Sequence, residues 1–247
     1  MRELPERLMV IAADHTARGM LDAGGRSMAD RRDLLDRMEL ALSRPGVNGV
    51  LGTPDILEEL QRAGALDGKV VFGSMNRGGL HGAPWSLDDR FTAYDAAAIE
   101  AAGFAGGKML LRIDLADERT ARTLEACAHA VGELARRGLL AMVEPFWSDD
   151  STEGAIKAVS IASALGPTAA YTWLKLPLVP DMDRVLAATT LPALLLGGGG
   201  PADYAGWEAA LASPNARGLV IGRSLLYPAD GDVAAAVDIA TGLVVTA

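Results

Sequence analysis

Lys175 and Glu144 are the pair through which this chain would do covalent chemistry. Lys175 lies in Tyr171-Thr172-Trp173-Leu174-Lys175-Leu176-Pro177, an apolar run of strand length. Burial there disfavours the ammonium and lowers its pKa. A lysine that is partly neutral near pH 7 is a nucleophile able to form a Schiff base with a carbonyl. That chemistry also needs groups that protonate the departing hydroxyl of the carbinolamine and move protons on substrate oxygens. Glu144, closing the apolar run 139–144, and Asp14, following the run 8–13, are carboxylates placed to do so. The plainer reading is an ion pair that only ties strands together. It would prevail for one isolated pair, but charges at the ends of successive strands favour a site.

The elements that must position these residues recur regularly. Apolar runs fall at 8–13, 47–51, 69–73, 108–112, 139–144, 171–176, 193–197 and 218–222. Near-continuous apolar strands are what a parallel sheet covered by helices requires. Between them, 30–42 carries Leu34, Leu35, Met38 and Leu42 at helical spacing, with Ser27 and Asp30 resembling a capping box. Residues 92–102 and 120–137 are alanine-rich and amphipathic, and Gly138 makes a good stop. Ser151 or Thr152 would cap a helix running to Leu165. Eight strands alternating with helices in 247 residues predict an α/β fold, a (β/α)8 TIM barrel spanning 1–247 as one domain. A doubly wound open sheet competes, and regular spacing without a linker favours the barrel.

In such a barrel the chemistry sits at the C-terminal strand ends. These ends carry Asp14-His15, Ser74 to Arg77, Arg112 and Asp114, Glu144, Lys175, Gly197 to Gly200, and Gly222-Arg223-Ser224. Lys108 is a second amine. Inside the pocket it would lower the pKa of Lys175 by like-charge repulsion. At the start of its strand it would reach water at the barrel bottom. Spacing alone leaves both readings open. Gly198, Gly199, Gly222 and Arg223 suit a phosphate: glycine lets backbone amides approach an anion, and arginine adds a charge-assisted bond. His15 and Arg77 are further candidates for binding substrate. His129, mid-helix, reads as a surface or packing residue. Trp147 would wall the pocket or pack at the barrel rim. The long 74–88 segment, which includes Trp85, would be a lid, a substrate-selecting loop or an oligomer contact.

Composition narrows the classes. A net charge of -9 and a pI near 4.8 argue against nucleic acid as a partner. Cys127 is the only cysteine, so no internal disulfide forms, and a reducing cytoplasm is the expected setting. Residues 1–7 lack the apolar core of a signal peptide. The longest uncharged stretch, 185–202, contains two prolines and four consecutive glycines and reads as a helix end, a turn, a strand and a glycine loop, so no membrane span is expected. No HExxH or EF-hand pattern occurs, and neither a metal nor another cofactor is expected. Apolar outer helix faces would allow a homo-oligomer.

Taken in order, Ala12-Ala13-Asp14-His15, Gly107-Lys108-Met109-Leu110-Leu111, Val143-Glu144-Pro145, Leu174-Lys175-Leu176-Pro177 and the two glycine turns resemble a known superfamily. It is that of the class I, Schiff-base aldolases for deoxyribose phosphate, tagatose bisphosphate and, in archaeal type, fructose bisphosphate. The chain is also similar to actinobacterial aldolase-like barrels of inositol catabolism. The resemblance implies a lyase that cleaves a phosphorylated keto-sugar, such as a deoxy-keto-gluconate phosphate or a ketose bisphosphate, to an aldehyde and a ketone phosphate such as dihydroxyacetone phosphate. It implies Lys175 as Schiff-base lysine, with Asp14, Lys108 and Glu144 orienting substrate and assisting proton transfer. It places phosphate at Gly198, Gly199, Gly222 and Arg223. The alternatives are a metal-dependent barrel aldolase or isomerase, and a non-catalytic sugar-phosphate-binding barrel.

Overall fold

The computed structural model describes residues 4–83, 87, 89–148 and 151–247. Trp85 and the start of the N-terminal segment lie outside the described residues.

Eight parallel strands close into a barrel: β1 (Leu8–Ala12), β4 (Gly49–Gly52), β5 (Val70–Ser74), β6 (Gly106–Ile113), β7 (Leu140–Trp147), β8 (Thr172–Pro177), β9 (Ala193–Leu196) and β10 (Ala216–Ile221). Each pairs with its neighbour in sequence, and β10 closes on β1. Helices α1 (Arg31–Leu42), α2 (Pro54–Arg62), α3 (Ala96–Ala101), α4 (Thr120–Arg136), α5 (Thr152–Ser163), α6 (Met182–Ala187), α7 (Tyr204–Leu211), α8 (Arg223–Leu226) and α9 (Val233–Thr246) follow the strands. The open-sheet alternative is thereby excluded.

Alternation along the strands separates two cores. Leu8, Val10, Ala12, Leu51, Phe72, Leu140, Met142, Leu194 and Val220 form a cluster inside the barrel. Their neighbours, among them Met9, Ile11, Met109, Leu111, Val143, Leu174 and Leu195, pack outward in the larger cluster beneath the helices. This is the two-residue period of a strand applied to both faces of a closed sheet.

Several boundaries differ from the sequence reading. Lys108 does not begin a strand: β6 starts two residues earlier, so Lys108 is inside the barrel and 1% exposed. Asp30 itself caps α1, accepting from the Arg32 and Asp33 amides, while Ser27 belongs to a short strand. That strand is part of a hairpin absent from the sequence reading, β2 (Asp22–Ala23) with β3 (Arg26–Ser27). The helix expected from 92 starts at Ala96, capped by Asp95. Thr92 and Ala93 instead donate to the Met75 carbonyl and Tyr94 to that of Ser74, which holds the segment against β5. Ser151, rather than Thr152, caps α5 through the Gly154 amide.

Gly218 marks the tightest closure of the barrel. It pairs with Leu8 at φ 129°, and a Cβ there would lie 1.8 Å from the Leu8 carbonyl oxygen. Gly218→Ala should therefore lower stability by roughly 3 kcal/mol, through forced backbone movement at a position that disfavours L side chains. A urea unfolding midpoint within error of the parent's would refute this.

Candidate active site

The inward face of the barrel changes from apolar to charged near its C-terminal end. Asp14 follows Ala12 by two residues, and Glu144 follows Met142 by two, so both continue the inward columns. Lys175 continues from Trp173, which packs against the inner cluster. Lys108 pairs with Met142 on one side and with Ser74 on the other. The side chains of Asp14, Lys108, Glu144 and Lys175 are each no more than 5% exposed.

They form one chain of ion pairs. Lys108 Nζ lies 2.7 Å from Asp14 Oδ2 and 2.5 Å from Glu144 Oε2. Glu144 Oε1 lies 3.1 Å from Lys175 Nζ. Asp14 Oδ1 is buried with no hydrogen-bond donor among the described residues.

The two lysines shift in opposite directions. Burial presses down on both. For Lys108 the paired carboxylates of Asp14 and Glu144 overcome it and raise the pKa. For Lys175 burial prevails: Glu144 opposes it, the Lys108 ammonium reinforces it, and the pKa is lowered. Burial raises Asp14 and Glu144, but the ammonium groups of Lys108 and Lys175 reverse this and hold both below the usual carboxylate range. His15 begins the 3-10 turn His15–Arg18 directly after Asp14. Its Nδ1 is buried without a hydrogen-bond partner among the described residues, and burial pushes its pKa down to about 4, so the imidazole is neutral at pH 7.

The glycine turns lie on the flank formed by β9 and β10. Gly198 has φ 65°, and a Cβ at Gly199 would come within 3.0 Å of the Arg223 guanidinium. A Cβ at Gly222 would strike the Ala12 carbonyl at 2.3 Å and His15 Cε1 at 2.6 Å. These positions thus bring backbone close to Arg223 and to the β1 end of the charged cluster. Arg77 lies elsewhere. It is exposed, donates to Thr92 Oγ1 at 2.9 Å, and lines a separate cavity with Thr16, Thr53 and Ser74. Arg77 is therefore not brought to the glycine turns.

Some contacts escaped the sequence reading. Arg112 continues the inward column of Lys108 and forms a buried two-point ion pair with Asp89, its Nε 2.8 Å from each carboxylate oxygen. That pair fixes residues after the 74–88 segment to β6. Asn76 adds to it, exchanging hydrogen bonds with the backbone of Leu110. Arg18 stacks over Phe146, 5.7 Å from the ring centroid, and both its Nε and Nη2 lie 3.4 Å from the Gly79 carbonyl oxygen. The turn Asp22-Ala23-Gly24-Gly25-Arg26 is the signal that would have revealed the hairpin carrying Arg26. His129 is exposed and Trp147 partly buried against the outer core. Cys127 is buried, its thiol pushed up to about 12, mainly by burial. Among the described residues, no three His, Cys, Asp or Glu side chains cluster as metal ligands. No helix among them is long and apolar enough to cross a membrane.

Comparison with known proteins places the family and the fold. A family model described as Cgl0159-like matches residues 6–241. The crystal structure of Cgl0159 from Corynebacterium glutamicum is similar at 53% identity and a TM-score of 0.94, over 98% of this chain and 86% of that one. A Schiff-base-forming fructose-1,6-bisphosphate aldolase is similar at 16% identity and a TM-score of 0.73, over 97% of this chain and 94% of that one. An archaeal fructose-1,6-bisphosphate aldolase, solved with its catalytic lysine covalently bound to the carbinolamine intermediate, is similar at 16% identity and a TM-score of 0.72, over 97% and 94%. The two aldolase likenesses show a shared barrel fold. No curated protein sequence matches the chain.

Proposed function

This chain belongs to the Cgl0159-like family, and from that premise we propose that it is a class I aldolase cleaving a keto-sugar phosphate through a Schiff base on Lys175. The observation that carries the reading is the asymmetry of the two buried lysines. Lys108 is held between two carboxylates and stays protonated, while Lys175 has one carboxylate and a lowered pKa. One amine is thereby suited to attack and the other to remain a fixed positive charge.

The steps follow from these assignments. Neutral Lys175 Nζ attacks the ketone carbon, and the carbonyl π electrons move to oxygen. The carbinolamine loses its hydroxyl as water, with Glu144 relaying the proton. The resulting iminium accepts the electron pair of the bond between the α and β carbons as the hydroxyl on the β carbon loses its proton and that carbon becomes the aldehyde. Asp14 Oδ1, a buried acceptor with no donor among the described residues, suits that hydroxyl. The enamine is then protonated on carbon, and water hydrolyses the iminium to release the ketone phosphate and regenerate the amine. Gly198, Gly199, Gly222 and Arg223 are the residues proposed to hold its phosphate.

Borohydride reduction in the presence of dihydroxyacetone phosphate tests the reading. The expected product is one stable adduct on Lys175, located by peptide mass spectrometry. An adduct on Lys108 would retain the class and reassign the nucleophile. A folded protein that binds the ketone phosphate and yields no adduct would count against Schiff-base chemistry and favour a phosphate-binding barrel.

A further inference from the structure

Arg18 reaches across the mouth of the barrel. It closes the 3-10 turn His15–Arg18 that follows β1. Its guanidinium carbon lies 5.7 Å from the centre of the Phe146 ring. Phe146 is on β7, which stands opposite β1 in the closed ring of strands. Phe146 follows Glu144 by two residues and so continues its inward column. The guanidinium therefore stands at the mouth, above the column that holds Glu144.

Its contacts leave the charge in place. Nε and Nη2 both reach the Gly79 carbonyl oxygen at 3.4 Å, long for an N–H···O bond. No carboxylate pairs with Arg18 among the described residues. Arg112 approaches the same point: a Cβ on Gly79 would lie 3.3 Å from Arg18 Nη2 and 3.5 Å from Arg112 Nη1. Arg112 is balanced by Asp89, its Nε 2.8 Å from each carboxylate oxygen, so the excess charge at this point is that of Arg18. Arg223 feels that charge: burial lowers its pKa first, and Arg18 lowers it further. A stacked ring and one shared carbonyl are weak restraints on a guanidinium whose fork can hold both oxygens of a carboxylate.

We propose that Arg18 is a specificity-determining residue that binds a carboxylate on the half of the substrate that leaves as aldehyde. The proposal rests on the aldolase reading for the reaction, though not for the anion site itself. A substrate joined to Lys175, with its phosphate on the flank of β9 and β10, has its other end free to run over Glu144 toward Phe146. One uncompensated guanidinium matches one negative charge through two parallel bonds. A phosphate dianion would stay in excess there, and the Gly79 carbonyl oxygen would repel it more strongly than a monoanion. The substrate is then a phosphorylated keto-sugar acid, rather than a sugar with a phosphate at each end.

The test is aldol addition of dihydroxyacetone phosphate to glyoxylate, succinate semialdehyde, glyceraldehyde 3-phosphate and propanal by the parent protein, Arg18→Met and Arg18→Lys. In Arg18→Met, kcat/KM for the two carboxylated aldehydes is expected to fall roughly 10- to 100-fold relative to propanal, as for loss of one charge-assisted partner. Arg18→Lys keeps the charge without the fork and should recover part of the loss. Should Arg18→Met not fold, Arg18→Gln takes its place. An equal fall for all the aldehydes would overturn the proposal and leave Arg18 as a prop for the segment at Gly79. A fall confined to glyceraldehyde 3-phosphate, or a change only in half-saturation by dihydroxyacetone phosphate, would overturn it in favour of a phosphate contact. If the parent forms no lysine adduct, thermal stabilisation by glycolate decides. A requirement for roughly 10- to 100-fold more glycolate in Arg18→Met would support the carboxylate site and reject the Schiff base. Stabilisation that is absent, or equal in both proteins, would reject both.

Discussion

A Lys175→Met protein should fold, bind ketone phosphate, and show no borohydride-trappable adduct and no carbon-carbon cleavage. Methionine has nearly the length of lysine and suits a site that is 3% exposed. The substitution removes an ammonium that burial already destabilises, and Glu144 keeps Lys108 as its partner at 2.5 Å. The stability cost should therefore be small beside the loss of activity. Without the amine there is no iminium to accept the electron pair of the breaking bond, so turnover should fall by roughly 10⁴-fold or more. Residual cleavage above a tenth of the parent's would end the assignment. Loss of ligand-induced stabilisation together with activity would show instead that the variant had lost its site.

The second large effect concerns Lys108, the charge between two carboxylates. Lys108→Met removes the like charge that helps depress Lys175, and it leaves Glu144 to Lys175 alone. Both changes raise the Lys175 pKa. The rate of adduct formation should then reach its midpoint at higher pH, and trapping near neutral pH should slow. The fold should suffer too, because Asp14 loses the ammonium 2.7 Å away while remaining buried. Breaking a buried pair from one side costs about 3–5 kcal/mol. The double variant Lys108→Met with Asp14→Asn removes both charges and should regain much of that stability without restoring the parent pH profile. A pH profile that does not move in Lys108→Met would mean that Lys108 does not tune the nucleophile.

The carboxylates give the same cluster an acid limit. Asp14 and Glu144 have folded pKa values below their ordinary values of 3.8 and 4.5. The stability they contribute is fully present above those ordinary values. It is lost as the pH falls from them through the lower folded values, where the folded state at last takes up protons that the unfolded chain already holds.

Much of this was legible in the chain because a parallel barrel writes its core as apolar runs. The period of two then carries the argument from core to site: Ala12 to Asp14 and Met142 to Glu144 are single steps along inward columns. The same rule would have settled Lys108, had the strand been started at Gly106, where a side chain would meet the Leu140 carbonyl. What sequence could not supply were ties between distant segments. Arg112 finds Asp89 across 23 residues, and Arg223 meets the Asp22 carbonyl across 201. Two-residue strands such as β2 and β3 hold too few side chains to show a period at all. Arg77 was a substrate-binding candidate from its place just after a strand end, and its hydrogen bond to Thr92 Oγ1 turns it into a separate cavity.

The burial of both lysines has a consequence for how this protein ages among reactive metabolites. The chain has 4 lysines against 19 arginines, and 2 of the 4 are Lys108 and Lys175, inside the barrel. Only Lys157 is exposed, with Lys69 partly covered. Sugars and small aldehydes that glycate exposed amines thus meet very few on this molecule. The amine of lowered pKa, the one most vulnerable to such damage, is screened by the barrel wall from any carbonyl compound that the mouth does not admit.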